Sequence, residues 1–520
     1  MEASDNMQIE GGIMHTNGCG RLRILTLAAL SAVLICAGCA LKPVAVTGEK
    51  QGNAGGTQSE TAMSVNRFDG NAVVTVAYND GTTQPQVTYT STTRSTTAGA
   101  SHMGWSYSTN FGSSWTYGGR ITPPADWPIL WGDPGITHSV RDQRYVYIAN
   151  LAVPKAKMDN APGGVINGAI NNYIGGGCIA RSTDGGKNFS LYQCMQTKET
   201  DATGDFYDGG NMASDKNGNI YAGWVNVDTN KVHIWRAAGE SGTFQKLTNP
   251  FSDGSYAIVS HPRLRINTDN NELFVMALNN TGELLIARWN GSSWGATWRT
   301  GLYAQAYPCV QTNGNTVGCG SGSNIVVRTG PQFSFDIGAF GKTNDHLRIM
   351  FTRKSSLNNR LFIAGAGCNL GDQQCQYIAE WGTGEGDKDK VTASFNPLMR
   401  SYRSVEMAQK GEPSLWMGSH TTYFPASGTV RHAMGGVGIL KDSNNQNLYL
   451  YLPIFQISNC ILCADQRGYW GDYDDLQPLG PIPERERSNV FARTFTNSQD
   501  GCDYRWQYTS SKVHVAFTGK

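Results

Sequence analysis

Twice in this chain a short turn of the same chemical design separates two runs of strand-forming residues. One copy reads Ser108-Thr109-Asn110-Phe111-Gly112-Ser113-Ser114-Trp115, the other Ser182-Thr183-Asp184-Gly185-Gly186-Lys187-Asn188-Phe189. Both follow Ser-x-Asn/Asp-x-Gly-x-x-aromatic. The carboxylate or carboxamide accepts hydrogen bonds from backbone N–H groups of the turn. Glycine supplies a backbone conformation that other residues resist, and the aromatic ring folds back onto the hairpin. Weaker echoes follow Asn290 and Ser498. A chain that repeats a hairpin device is built of many antiparallel strands.

Composition agrees. Of 520 residues 62 are glycine, and charged residues make up 16%, against ~25% in ordinary soluble domains. Few Lys and Glu, with abundant Gly, Asn, Thr, Trp and Tyr, disfavour helical bundles and coiled coils. The 42 basic and 41 acidic side chains nearly cancel, which argues against a nucleic-acid partner.

A longer period runs through the body. Turn-then-strand texts occur at 217–224, 144–149, 272–277, 346–351 and 447–452. Many follow a small polar lead-in: Gly132-Asp133-Pro134, Tyr207-Asp208-Gly209, Ser260-His261-Pro262-Arg263, Phe335-Asp336, Arg403 to Glu406, and Gly471-Asp472-Tyr473. With a first strand near 73–78, units start roughly 55–75 residues apart, the length of one four-stranded propeller blade with loops. Counting gives seven units, or six if the last pieces complete an earlier one.

The two turns resemble the Asp-box, or bacterial neuraminidase repeat, of sialidase-like β-propellers. The resemblance implies an all-β fold, a single propeller over residues 64–520. It makes Ser108, Asn110, Gly112, Trp115, Ser182, Asp184, Gly186 and Phe189 structural and peripheral. In a propeller the lead-ins converge on one funnel. By chain order the resemblance implies Asp133 as acid, Arg263 and Arg403 as carboxylate clamps, and Glu406 with Tyr473 as nucleophile pair. His261 would serve a lyase instead. Asp208 and Asp472 add carboxylates, and Trp470 offers a ring on which a sugar can stack. One departure is plain: the Arg-Ile-Pro typical of sialidases is missing, the nearest texts being Arg67-Phe68-Asp69 and Arg120-Ile121-Thr122.

The N-terminus reads as an address. Arg21 and Arg23 precede an apolar run at 24–37 of about 14 residues, short of the ~20 that span a bilayer. Its end, Ile35-Cys36-Ala37-Gly38-Cys39, resembles the bacterial lipoprotein box. That implies a signal peptide over 1–38, a lipid on Cys39 and a cell-envelope location. Met7 or Met14 is an alternative start. Residues 39–63 are small and polar and are expected to form a flexible tether.

Apart from Cys19, Cys36 and Cys39 there are nine cysteines, which suit an oxidising compartment. Close pairs are Cys178 with Cys194, Cys309 with Cys319, Cys368 with Cys375, and Cys460 with Cys463; Cys502 is left over, or pairs with one of the last two. A lone Cys-x-x-Cys does not make a zinc site. The carboxylates at 472–475 offer oxygen ligands suited to Ca²⁺, though in no known calcium-loop spacing; no cofactor is expected, with Ca²⁺ as the alternative. The expected function is an exported, lipid-anchored, monomeric propeller acting on or binding glycans, as a sialidase-like glycosidase or a polysaccharide lyase. The alternative is a non-catalytic carbohydrate-binding, adhesive or protein-scaffold propeller.

Overall fold

The architecture comes from a computed structural model. It describes residues 44–45 and 58–517 apart from 81–86, 90–93, 168–171, 197, 201, 306–309, 312–316, 319–331, 340–342, 355–360, 382–392, 404, 412–413, 425–428, 442–446, 452–454, 462–474, 480–490 and 499–510. The chain is all-β; among the described residues the sheets that surround the axis are numbered 1 to 7 below, and two small sheets lie beside them, Val87–Tyr89 with Arg94–Thr97 and Val165–Asn167, and Val310–Gln311 with Val317–Gly318. Sheet 1 runs Gln58–Phe68, Asn71–Asp80, Met103–Ser108, Thr116–Arg120. Sheet 2 runs Ile129–His138, Val146–Val153, Gly176–Ser182, Ser190–Met195. Sheet 3 runs Tyr207–Ser214, Ile220–Asn226, Lys231–Ala237, Phe244–Lys246, and sheet 4 Arg263–Asn267, Glu272–Leu278, Glu283–Trp289, Trp298–Tyr303. Sheet 5 starts with Phe333–Gly338 and sheet 6 with Ala393–Tyr402; one parallel pairing, Leu361 with Ala393, joins them. Sheet 7 is Asp475–Pro478, Phe491–Ser498, Ser511–Phe517 and, on its outer edge, Val44–Ala45.

Packing closes these sheets into a ring. Each interface is one apolar cluster with members from both neighbours. Ala77 and Trp105 meet Leu130 and Ile148 between sheets 1 and 2. Tyr147 and Ile179 meet Tyr207 and Trp224 between 2 and 3. Tyr221 and Ile234 meet Leu264 and Val275; Phe274 and Ile286 meet Phe335 and Ile349. Met350 and Ile363 meet Met399 and Trp416; Leu398 and Met417 meet Leu476 and Phe491. Val74 and Val76 return to Ala492 and Val513, from sheet 1 to sheet 7. This is the expected β-propeller. Covered on both faces, second strands lose the polar alternation of a one-sided sheet; every residue of Val146–Val153 and of Ile220–Asn226 is buried.

Closure uses both ends of the described chain. Ser511–Phe517 pairs inside sheet 7 with Phe491–Ser498. The closing strand comes from the other end of the chain: Val44 and Ala45 pair with Val515 and His514. The expected tether is too long. Gln58–Phe68 is the inner strand of sheet 1, and Glu60, Ala62 and Met63 are buried in it. The stretch at 73–78 is the second strand, not the first. Small and polar residues misled here because an inner strand faces a polar channel, so half of it need not be apolar.

Both repeated turns join the third and fourth strands of their sheets, away from the axis. Ser182 Oγ accepts from Gly186 N at 2.9 Å, and Asp184 Oδ1 accepts from Asn188 N at 3.0 Å. In the other copy Gly112 N donates to Ser108 Oγ at 2.8 Å and Ser114 N to Asn110 Oδ1 at 2.9 Å. Phe189 packs on Trp105 at 5.4 Å, and Trp115 against the Val74–Val76 cluster. Disulfides Cys178–Cys194 and Cys368–Cys375 form across directly paired strand residues. Of the other expected pairs, Cys309, Cys319 and Cys463 lie outside the described residues, as does Cys502, while Cys460 lies in the strand Phe455–Ile461. No helix among the described residues is long and apolar enough to cross a membrane.

Candidate functional site

The inner strands run in the same direction around the axis. Ser64 meets His138 at 3.0 Å, Met399 N donates to Ser334 Oγ at 3.1 Å, and Leu264 N donates to Asn211 Oδ1 at 2.8 Å. Together they enclose a central cavity of about 230 Å³, lined by residues of all seven. Two Arg–Asp pairs cross it. Arg265 Nε lies 3.5 Å from Asp336 Oδ1, and Arg400 Nη2 lies 3.0 Å from Asp475 Oδ1. Asp336 Oδ2 also accepts from Ser401 N at 2.7 Å. Asp475 Oδ2 accepts from Met63 N at 2.9 Å and from Gln477 Nε2 at 3.0 Å. Burial pushes both carboxyls up and the Arg265 guanidinium down, against the attraction of their partners. These groups fasten sheets 4 to 5, 6 to 7 and 7 to 1.

A different arrangement occupies the mouth where inner strands begin. Three successive sheets carry a register shift at the same level. In sheet 1 it falls between Ser59 and Thr61, in sheet 2 between Gly132 and Gly135, and in sheet 3 between Asp208 and Asn211. Each bulge re-aims one carboxylate: Glu60, Asp133, Asp208. Bulges are used in this way beside functional sites. Glu60 and Asp133 hold left-handed backbones at φ 51° and 54°, a conformation that costs roughly 1–2 kcal/mol for such residues. Gly132 has φ 113°, and a Cβ there would come within 2.2 Å of Asn79 Oδ1. At Gly209, φ 60°, a Cβ would strike the His261 ring at 2.2 Å.

Asn79, from the second strand of sheet 1, ties the carboxylates together. Its Oδ1 accepts from Asp133 N at 2.7 Å, while its Nδ2 donates to Glu60 Oε2 and, at 3.3 Å, to Asp133 Oδ1. Asp208 Oδ2 sits 3.2 Å from His261 Nε2. The Asp133 carboxyl is held well above the ordinary carboxylate range, first by burial, then by the Glu60 charge and hydrogen bond beside it and by the Asp208 charge; Asn79 opposes this only in part. The mouth therefore offers one carboxyl that holds its proton more tightly than an ordinary carboxyl and a second, on the next sheet, that lies against an imidazole.

Of the residues expected from the sequence, the structure brings Asp133, Asp208 and His261 to one mouth. Arg263 opens the inner strand of sheet 4 and lines the cavity. Arg403 and Glu406 do not join them. They follow the last residue of Ala393–Tyr402, at the opposite end of that inner strand, with Glu406 in the short helix Val405–Gln409. The strand escaped notice because Asn396-Pro397 interrupts it as a bulge between Phe395 and Leu398. Asp336 lies mid-strand in Phe333–Gly338, not at its start. Asp472, Tyr473 and Trp470 lie outside the described residues. Glu60 and Asn79 were missed; the alternation of Ala62, Ser64 and Asn66 with Met63 and Val65 was the available signal. Among the described residues no three His, Cys, Asp or Glu side chains are grouped to hold a metal ion.

No protein-family profile matches the chain, and no curated protein matches it. Solved structures do. A protein of unknown function from Dyadobacter fermentans is 12% identical at TM-score 0.41, covering 74% of this chain and 94% of its own. An alpha-L-arabinanase of Penicillium chrysogenum, complexed with arabinobiose, is 9% identical at TM-score 0.39, covering 91% and 97%. The NanB sialidase of Streptococcus pneumoniae is 9% identical at TM-score 0.39, covering 92% and 70%.

Proposed function

We propose that this propeller hydrolyses glycosidic bonds at the mouth formed by Glu60, Asp133, Asp208 and His261. The observation that carries the reading is the Asp133 carboxyl, pushed toward its acid form by burial and by Glu60, at a mouth it shares with the Asp208–His261 pair. A carboxyl held as an acid beside a second carboxylate is what acid–base hydrolysis of a glycoside requires. Asp133 donates its proton to the leaving glycosidic oxygen as the bond to the anomeric carbon breaks. Asp208 takes the other part: ionised and steadied by His261, it receives the proton of the attacking water. Glu60 and Asn79 are positioning residues that hold Asp133 in place and in its acid form.

The same reading places the protein in a bacterial cell envelope. Residues 1–38 serve as the export signal and Cys39 carries the lipid. The disulfides Cys178–Cys194 and Cys368–Cys375 support export. Metabolic labelling with a fatty-acid probe tests the anchor: label retained by Cys39→Ser would rule it out. Release of reducing ends from a panel of surface polysaccharides tests the chemistry. Hydrolysis lost in Asp133→Asn supports it; glycan binding with no hydrolysis by the native protein would replace it with a binding role.

A further inference from the structure

We propose that the mouth takes an uncharged, hydroxyl-rich sugar unit and rejects one bearing a carboxylate. The inference rests on the hydrolytic reading above and names its substrate class. Its first support is the charge already present. Glu60, Asp133 and Asp208 share the mouth, and the charges of Glu60 and Asp208 both act on Asp133. A substrate carboxylate brought there adds another like charge, which costs several kcal/mol at a desolvated contact.

The second support is where the guanidinium groups of the channel are spent. Recognition of a sugar carboxylate calls for a bidentate Arg partner. Arg265 is held by Asp336 and by the carbonyls of Phe335 and Leu264. Arg400 is held by Asp475 and the carbonyl of Met399. Arg263 is likewise engaged. Withdrawing Arg265 or Arg400 toward a ligand would leave a buried carboxylate without its partner, which is strongly unfavourable. Arg403, the remaining cation expected for such a clamp, follows the opposite end of its strand.

The third support is a buried amide. Asn150 lies in Val146–Val153, is 0% exposed, and neither its Oδ1 nor its Nδ2 has a hydrogen-bond partner. Gly132 pairs with Leu151 and Gly135 with Ala149, so Asn150 stands opposite the Asp133–Pro134 bulge. Its side chain leaves the strand on the face of Ile148 and Ala152, which pack toward sheet 1, the side from which Asn79 reaches Asp133. A buried carboxamide needs both a donor and an acceptor. A hydroxyl group, or a water carried with it, supplies both; a carboxylate supplies acceptors alone.

The test uses the full folded chain and matched pairs of 4-methylumbelliferyl glycosides: neutral hexosides and pentosides against glucuronide, galacturonide and sialoside. The expected result is turnover of at least one neutral glycoside with kcat/KM about 100-fold or more above every anionic one. Isothermal titration of the Asp133→Asn variant with neutral and uronic oligosaccharides gives the second readout, with binding expected for the neutral set alone. Preference for the anionic set in either assay overturns the inference, and turnover of that set leaves the hydrolytic reading standing. Neutral binding without turnover by the native protein overturns the hydrolytic reading and leaves the specificity standing. Neither turnover nor binding of any glycoside in either set overturns both.

Discussion

The backbone N–H of Asp133 donates to Asn79 Oδ1 at 2.7 Å, so a side chain of one sheet fixes the strained bulge of the next. Asn79 has no substitute in this role, because its Nδ2 also serves Glu60 and Asp133. Asn79→Ala is therefore expected to lower stability by about 1–3 kcal/mol, the cost of stranding buried polar groups, and to cut activity with it. Urea unfolding checks the first part. Unchanged stability would mean that the bulge is held by something else.

Activity is expected to fall on the basic side as Asp133 loses its proton, a loss displaced upward by burial, by the Glu60 charge and hydrogen bond and by the Asp208 charge. Glu60→Gln removes one raising influence, so Asp133 should release its proton at lower pH and the basic limb should move down. A basic limb that does not move would detach Glu60 from the proton on Asp133.

Arg400 and Asp475 form a pair with side chains only 10% and 14% exposed. Arg400→Met leaves Asp475 buried and charged, and is expected to cost about 3–5 kcal/mol. The double variant Arg400→Met/Asp475→Leu should recover much of that loss. Equal destabilisation of single and double variants, measured by denaturant titration, would show that the pair does not act as a unit.

Ser511–Phe517 stands between Phe491–Ser498 and the closing strand Val44–Ala45. Removing residues 511–520 deprives both neighbours of their partner and opens the ring between sheets 7 and 1, where Val513 and Val515 are fully buried. Calorimetry should show loss of the native cooperative transition. A truncated chain that melts like the full one would refute closure through this sheet.

Much of the fold was legible because its signals are local. The Ser182–Asp184–Gly186 turn satisfies its own backbone within a few residues, and apolar second strands such as Val146–Val153 are continuous in the text. Closure was not legible, since Val44 and Val515 meet only through the whole ring. Of the site, Asp133, Asp208 and His261 stood out through neighbouring Gly and Pro. Glu60 did not, because the bulge that gives it a role is set by Asn79 and the adjacent sheet rather than by its own neighbours. Arg403 and Glu406 were misplaced for the converse reason: polar residues after a strand read like polar residues before one.

The central claim is that Asp133 delivers a proton to the departing oxygen. Its most direct test compares Asp133→Asn with the native protein on two neutral substrates of unequal leaving group: an oligosaccharide and a 2,4-dinitrophenyl glycoside of the same sugar. The account predicts a fall of about 10²–10⁴ in rate on the oligosaccharide and a much smaller fall on the activated glycoside, whose leaving group needs no proton. Equal loss on both substrates, or no loss on either, would contradict it.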